Sequence, residues 1–428
     1  MRIPRILLFF LLFVGAAHAA DIYVSPSGSD SNAGSSSAPK KTIQAGVNLA
    51  KPGDRVIVRA GTYKEPNRTG SESYYGIHIE RSGTQSAPIT IMSETKGAAI
   101  IDQDLQAAGF VLWTVSDVKI TGFTIRDCKW GGVYMTHHQT KQRIVVDNNT
   151  ITNCDGDEGS NVGGVYMSSC TGCTISNNTI SDIKVGGRQY QNGAGIHGYD
   201  QERSIIEGNT ISKASNGIYH KKSSGEKGLI IRRNVIRDVT QGIWYSISAA
   251  GNPPHIDQEV YENVISASDN CIRGSSNETS SPSRGLTVRN NVLTNCWAGV
   301  ITSGFENIVV QNNIFYNVDD AIVTQYGEWR SELVKEDHNL FYPEVSFRLQ
   351  QYASEQRLSS LSSWKSYTGF GQSDLTGDPQ FVAPSSFDFT LKSSSPAKNA
   401  GSDGRDIGAY PGGGTSVVRP MPPVISVQ

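Results

Sequence analysis

Val146-Asp147-Asn148-Asn149-Thr150-Ile151, Ile175-Ser176-Asn177-Asn178-Thr179-Ile180 and Ile206-Glu207-Gly208-Asn209-Thr210-Ile211 are three versions of one phrase. It returns around Asn234, Asn263, Asn291, Asn313 and Asn339. The spacing varies within the roughly 20–50 residues that mark a solenoid. Inside each unit, apolar and polar residues alternate with the period of a strand, and Gly, Asn, Asp and Ser separate the short runs. A unit so small cannot bury its own apolar face and must stack on its neighbours. Stacking sets equivalent residues about 4.8 Å apart, close enough for asparagines to hydrogen-bond along a ladder inside the turns. The expected fold is all-β: a single right-handed parallel β-helix.

Outward from those coils, residues 21–117 read as an N-terminal cap and first coils, 118–342 as the repeating coils with an outer groove, and 343–411 as C-terminal coils and cap. Helical spacing over Thr42–Ala50 predicts a lid on the open end, where a bare coil would present a sheet edge. Strands are expected at Arg55–Arg59 and Ile89–Ser93, a short helix at Leu358–Tyr367 and a last strand at Phe387–Leu391. Residues 412–428 are rich in Gly and Pro and are expected to be disordered. Residues 1–20 read as a secretory signal peptide: basic Met1–Arg5, an apolar Ile6–Val14 too short to span a bilayer, and the cleavage site Ala17-His18-Ala19. The mature chain is therefore expected to be exported, soluble and monomeric.

A net charge of −2 and a pI near 6.5 create no global field for nucleic acid or membranes. Locally, Lys221, Lys222, Lys227, Arg232, Arg233 and Arg237 form a basic run that fits either a polyanionic ligand or a solvated face. Disulfides are allowed in an exported protein. Aligning the coils puts Cys128, Cys154 and Cys296 in one inward column, where Cys128 and Cys154 could pair or remain buried thiols. Cys170-Thr171-Gly172-Cys173 is a single CxxC, a weak signal for zinc.

After each turn glycine runs a strand: Val133-Tyr134, Val165-Tyr166, Ile196-His197, Ile218-Tyr219, Ile243-Trp244 and Ile272-Arg273. With the aliphatic residue inward, Tyr134, Tyr166, His197, Tyr219, Trp244 and Arg273 point out, and Thr136, Ser168, Tyr199, Lys221 and Ser246 form a second outward column. One exposed tyrosine is ordinary strand propensity. A whole column is a surface that packing alone does not require. Aromatic faces suit sugar rings and cations suit carboxylates, so Tyr134, Tyr166, Tyr199, Tyr219 and Trp244 predict a groove for an acidic polysaccharide. Asp155, Asp157 and Glu158 cluster hard oxygen donors, a composition that suits calcium and also an ordinary turn.

Several stretches resemble secreted β-helix polysaccharide lyases: Asp21-Ile22-Tyr23-Val24-Ser25-Pro26-Ser27-Gly28, Thr42-Ile43-Gln44-Ala45, Lys51-Pro52-Gly53-Asp54, Ala60-Gly61-Thr62-Tyr63 and Asp378-Pro379-Gln380-Phe381. Ser82-Gly83-Thr84-Gln85-Ser86-Ala87-Pro88-Ile89 is similar both to family 9 pectate lyases and to the family 6 alginate lyase and chondroitinase B group. Asn216-Gly217-Ile218-Tyr219-His220-Lys221-Lys222-Ser223 partly matches the lysine phrase of each, so the resemblance implies Lys221 or Lys222 as base, with Arg273 in the place of a family 6 arginine. Cleavage of a uronate polymer by β-elimination removes the proton beside a carboxylate, which calcium or cationic donors must neutralise. A lysine among cations has a lowered pKa and can act as that base. His197 is the rival base, and Tyr199 or Tyr219 the candidate acid. Asn317-Val318-Asp319-Asp320-Ala321-Ile322 resembles part of the paired-aspartate motif of polygalacturonases, which would imply hydrolysis instead. C5-epimerisation and a non-catalytic carbohydrate-binding β-helix remain open alternatives.

Overall fold

The computed structural model describes residues 19–409 apart from 67–74, 138, 190–191, 223–226, 248–253, 277–281, 326–328 and 352–353. Residues 1–18, most of the stretch expected to be a signal peptide, and the C-terminal tail from residue 410 lie outside the described residues. The chain winds as a parallel β-helix. Its first strand, Asp21–Val24, pairs with Arg55–Val58, which pairs with Ile89–Ser93, so coils begin at the start of the described chain. Every coil-to-coil pairing is parallel. The described antiparallel strand pairs come late, Ser346–Gln351 with Ser354–Leu358 and Phe381–Ala383 with Asp388–Leu391.

The repeated phrase resolves into two jobs. Its first turn residue adopts the left-handed conformation in successive coils: Asn148, Asn177, Gly208, Arg233, Glu262, Asn290, Asn312 and His338. Asn and Gly tolerate that conformation best, which explains their frequency there. The next residue is always Asn, and it builds the ladder. The carboxamide oxygen of Asn263 accepts from the backbone N–H of Asn234 at 2.9 Å and from its Nδ2 at 3.0 Å. The same pair of bonds links Asn149 to Asn178, Asn178 to Asn209, Asn209 to Asn234, Asn263 to Asn291, Asn291 to Asn313 and Asn313 to Asn339. At the far end, Asp374 Oδ1 accepts from the N–H of Asn339 at 2.7 Å.

Beside the ladder runs the core column Ile125, Ile151, Ile180, Ile211, Ile236, Ile265, Leu293, Phe315 and Phe341. It dictates the wall glycines. A Cβ on Gly164, Gly195, Gly217 or Gly242 would lie 2.3 Å from Cγ2 of Ile180, Ile211, Ile236 or Ile265. Cys271 falls in register after Gly242 and escapes the conflict by bonding inward to Cys296. Cys170 and Cys173 form the second disulfide, which removes the zinc reading of the CxxC. Cys128 and Cys154 are register neighbours, as aligned, and remain buried free thiols.

The caps sit slightly off their expected places. The N-terminal helix is Ile43–Val47, capped by Thr42 and by Glu65, whose carboxylate accepts from the N–H groups of Ile43 (2.6 Å) and Gln44 (2.9 Å). The C-terminal helix is Leu361–Thr368, because Ser360 and Ser363 form a capping box three residues after the expected start. The last strand is Asp388–Leu391, since Phe387 is left-handed with φ 62°.

Replacing Asn263 by Ala strands the donors of Asn234 and removes its own bonds to Ile231 and Tyr261. The expected loss is about 2–4 kcal/mol, from unsatisfied buried groups costing about 1–3 kcal/mol each, read as a lowered Tm. Of the chain's six cysteines, four are in disulfides, so a thiol reagent should find none in the native protein and two after unreduced unfolding.

Candidate active site

Five wall strands carry the outward columns: Gly131–Met135, Val162–Thr171, Gly193–Glu202, Thr210–Lys222 and Val235–Ile247, followed by Val264–Ser276. Their register aligns Tyr134, Tyr166, His197, Tyr219, Trp244 and Arg273 in one file. Ring contacts follow from that register. Tyr134 stacks on Tyr166 with centroids 4.5 Å apart, and Tyr219 stacks on Trp244 at 4.4 Å. The guanidinium of Arg273 lies 4.8 Å from the Trp244 ring centroid. Ser168, Tyr199, Lys221, Ser246 and Ser275 share the second file.

The file is open over only part of its length. Tyr134, Tyr166, His197 and Tyr219 face outward yet are buried, whereas Tyr199, Lys221, Trp244 and Arg273 are partly exposed. The sequence predicted one exposed strip, but the segments between strands cover its first half. His197 is buried with its ring nitrogens facing the backbone of Val162 and Asn192 without well-formed hydrogen bonds. Burial, then the nearby Lys221 charge, pushes its pKa well below the ordinary histidine value. It is a neutral ring in the stack, closed off from the groove.

Lys221 stands at the boundary between covered and open. Its Nζ donates to Asn161 Oδ1 at 2.7 Å and to Asn192 Oδ1 at 2.9 Å, and lies 4.8 Å from the Tyr219 ring centroid. Partial burial pulls its pKa down to about 8. Asn161 also lies near the Tyr199 hydroxyl, so one asparagine neighbours both side chains. Burial raises the Tyr199 hydroxyl pKa, and raises that of Tyr219 to about 12 despite a bond from Ser246 and the charge of Arg273. The backbone of Lys222 pairs with Ile247, but its side chain lies outside the described residues.

Two family models match the chain: the Pel9A-like right-handed β-helix region over residues 22–179 and the general right-handed β-helix region over residues 108–281. The crystal structure of pectate lyase Pel9A superposes with a TM-score of 0.62 at 16% identity, covering 92% of this chain and 97% of that one. The chain is a right-handed β-helix protein, similar in sequence to pectate lyases over part of its length. The uncharacterized protein YwoF of Bacillus subtilis is 22% identical over 88% of this chain and 92% of its own length. The pectate lyase PEL9 of Emericella nidulans is 40% identical over 22% of this chain, but the match spans only 21% of that lyase. Pectate lyase L of Dickeya chrysanthemi is 27% identical over 31% of this chain and 36% of its own length. The Pel9A-like match ends before Lys221, which falls within the general β-helix match alone.

Other expected groups of this β-helix are not brought together. Asp155 accepts from the N–H groups of Gly156 (2.8 Å) and Gly187 (3.0 Å). Asp157 pairs with Lys129 at 3.1 Å and Glu158 with Arg188 at 2.6 Å. Each carboxylate already has a donor, and among the described residues no three metal-ligating side chains converge. The trio does not fit a calcium ion. The basic run also dissolves, because Arg232 pairs with Glu207 at 2.6 Å and Arg233 with Glu262 at 2.7 Å on the sheet remote from the wall. Of the paired aspartates, Asp319 is exposed while Asp320 is fully buried and ion-paired to Arg348 at 2.7 Å, so they do not present two facing carboxyl groups. His220 points inward, as expected, and stacks on the core Tyr245.

Sequence reasoning missed Asn161, Asn192 and His137. The first two directly precede the register pair Val162 and Gly193, which was the available signal. His137 follows the first wall strand and contacts the Tyr166 hydroxyl at 3.0 Å and the Ser168 hydroxyl at 2.8 Å. No repeat marks it.

At pH 8 about half of Lys221 is neutral, against under ~1% for an ordinary lysine. An amine-acylating reagent should therefore label its peptide first. Asn192→Asp places a carboxylate against Nζ, raises the pKa and should suppress that labelling in mass spectrometry.

Proposed function

We propose that this protein is a secreted polysaccharide lyase that cleaves a uronate polymer, pectate or alginate first, by β-elimination with Lys221 as base. The observation that carries the reading is the Lys221 amine, held by two asparagine carbonyls and part-neutral near pH 8, beside an open stretch of aromatic wall ending in Arg273. The likeness to pectate lyases in sequence supports the reaction class.

The neutral amine takes the C5 proton of the uronate. Asn161 and Asn192 fix the amine, and their carbonyl oxygens stabilise the ammonium that forms. Arg273 lies two coils along the file from Tyr219, about 10 Å at the rung spacing, and a long guanidinium there can receive the substrate carboxylate as negative charge builds. Tyr199, partly exposed and with its hydroxyl pKa raised by burial, keeps its proton and can donate it to the departing O4. Trp244, partly exposed and stacked on the buried Tyr219, offers the edge along which the sugars lie. Asp155, Asp157 and Glu158, each already given a donor, do not fit a metal ion. Export rests on the N-terminal signal pattern; no helix among the described residues is long and apolar enough to cross a membrane.

Lys221→Ala should lower turnover by about 10²–10⁴-fold, the scale of general-base catalysis, with polymer binding retained. For the parent, kcat/KM should rise with pH and level off above about 8, since the working form is the deprotonated amine. Asn192→Asp should move that limb to higher pH. The assay is ultraviolet absorbance of unsaturated ends on pectate, alginate, glucuronan and glycosaminoglycans. Reducing ends without unsaturation, or a limb unmoved by Asn192→Asp, would overturn the assignment.

A further inference from the structure

The outward file does not stop at Arg273. Register carries it through Ile301 on strand Ala298–Ser303 and Val323 on Asp320–Gln325 to Arg348 on Ser346–Gln351. Three rungs span about 14 Å. Ile301 and Val323 form an apolar patch with Trp297. Beside it, where these strands begin, opens a cleft of about 580 Å³ lined by Trp297, Asp319, Asp320, Glu344, Ser346 and Arg357.

This cleft is built around a buried charge. Asp320 has no exposed side-chain surface and takes Arg348 at 2.7 Å and Arg357 at 3.7 Å, with Ser346 also bonded to it. One carboxylate thus faces two guanidinium groups. Arg348 is committed to the floor, its guanidinium 5.0 Å from the Trp297 ring centroid. Arg357 is different: 58% of its side chain is exposed, and its other fixed contact is the Ser346 hydroxyl at 3.2 Å. A partly exposed indole beside a solvent-facing guanidinium is the pairing that receives a sugar ring with a carboxylate. Asp319 and Glu344 on the rim leave the cleft net negative, so any acidic ligand there is held by stacking and by one directed cation rather than by bulk charge.

We propose that this cleft is a distal subsite for the same acidic polysaccharide, with Arg357 and Trp297 binding a uronate unit a few residues along the chain from the bond cleaved at Lys221. The inference rests on the functional reading above. It makes the protein selective for long chains: an oligomer that fills only the Lys221–Arg273 stretch gains nothing from Arg357.

The test compares the parent with Arg357→Ala, a change at an exposed side chain, on polygalacturonate and alginate polymers and on their trisaccharides. Calorimetric binding is measured alongside turnover. The expected result is KM and Kd on the preferred polymer raised about five- to tenfold, the scale of one charge-assisted hydrogen bond, with kcat and trisaccharide binding within about twofold of the parent. Arg357→Lys should recover part of the loss. Equal effects on short and long chains, or none, overturn the subsite while leaving the lyase reading intact. Selective loss of polymer binding in a protein that produces no unsaturated ends keeps the subsite and removes the lyase reading. A parent that binds neither polymer overturns both.

Discussion

Each coil buries a turn, and a buried turn must find partners for its amides. A carboxamide supplies a donor and an acceptor in one short side chain, so a row of asparagines can satisfy itself indefinitely at the spacing of stacked strands. That single constraint fixes the rest. It holds successive coils in register, and register in turn places residues of different coils in straight files. The wall that carries Lys221 is a by-product of the row that carries Asn209 and Asn234. Nothing in the groove has to position itself.

The chemistry of the groove arises where that regularity is interrupted. The coils themselves repeat Ile, Gly and Asn, but the segments leading into the wall strands differ from one another. Those preceding Val162 and Gly193 bring Asn161 and Asn192 over the edge of the wall to meet the Lys221 amine. The same segments lie against His197, whereas His137, Trp130 and Tyr199 pack on the tyrosines before it. Water is thus excluded from the first half of the file and partly from the lysine at its margin, whose pKa falls as a result.

This division also explains what could be read from the chain. The fold, the ladder, the inward isoleucines and the outward file from Tyr134 to Arg273 all follow from periods of two within coils and a recurring Asn between them. The partners of Lys221 do not, since Asn161 and Asn192 belong to segments with no repeat. Burial of Tyr166 was hidden for the same reason: alternation says which way a side chain points, not what lies over it. The acidic cluster at Asp155, Asp157 and Glu158 was misleading because its neutralising partners, Lys129 and Arg188, come from other coils. Cys271 was legible only in hindsight, as the side chain that follows a run of glycines from Gly164 to Gly242 in one column.

The asparagine row has a direction. Every carboxamide oxygen accepts from the coil before it, and the last acceptor is the carboxyl group of Asp374, backed by Glu336 and sealed under Trp364. A terminal carboxyl in that position takes the final amide but has no amide of its own to pass along. The asparagine row therefore has a built-in stop at Asp374, although one more parallel strand, Leu375–Thr376, still pairs on the coil before it.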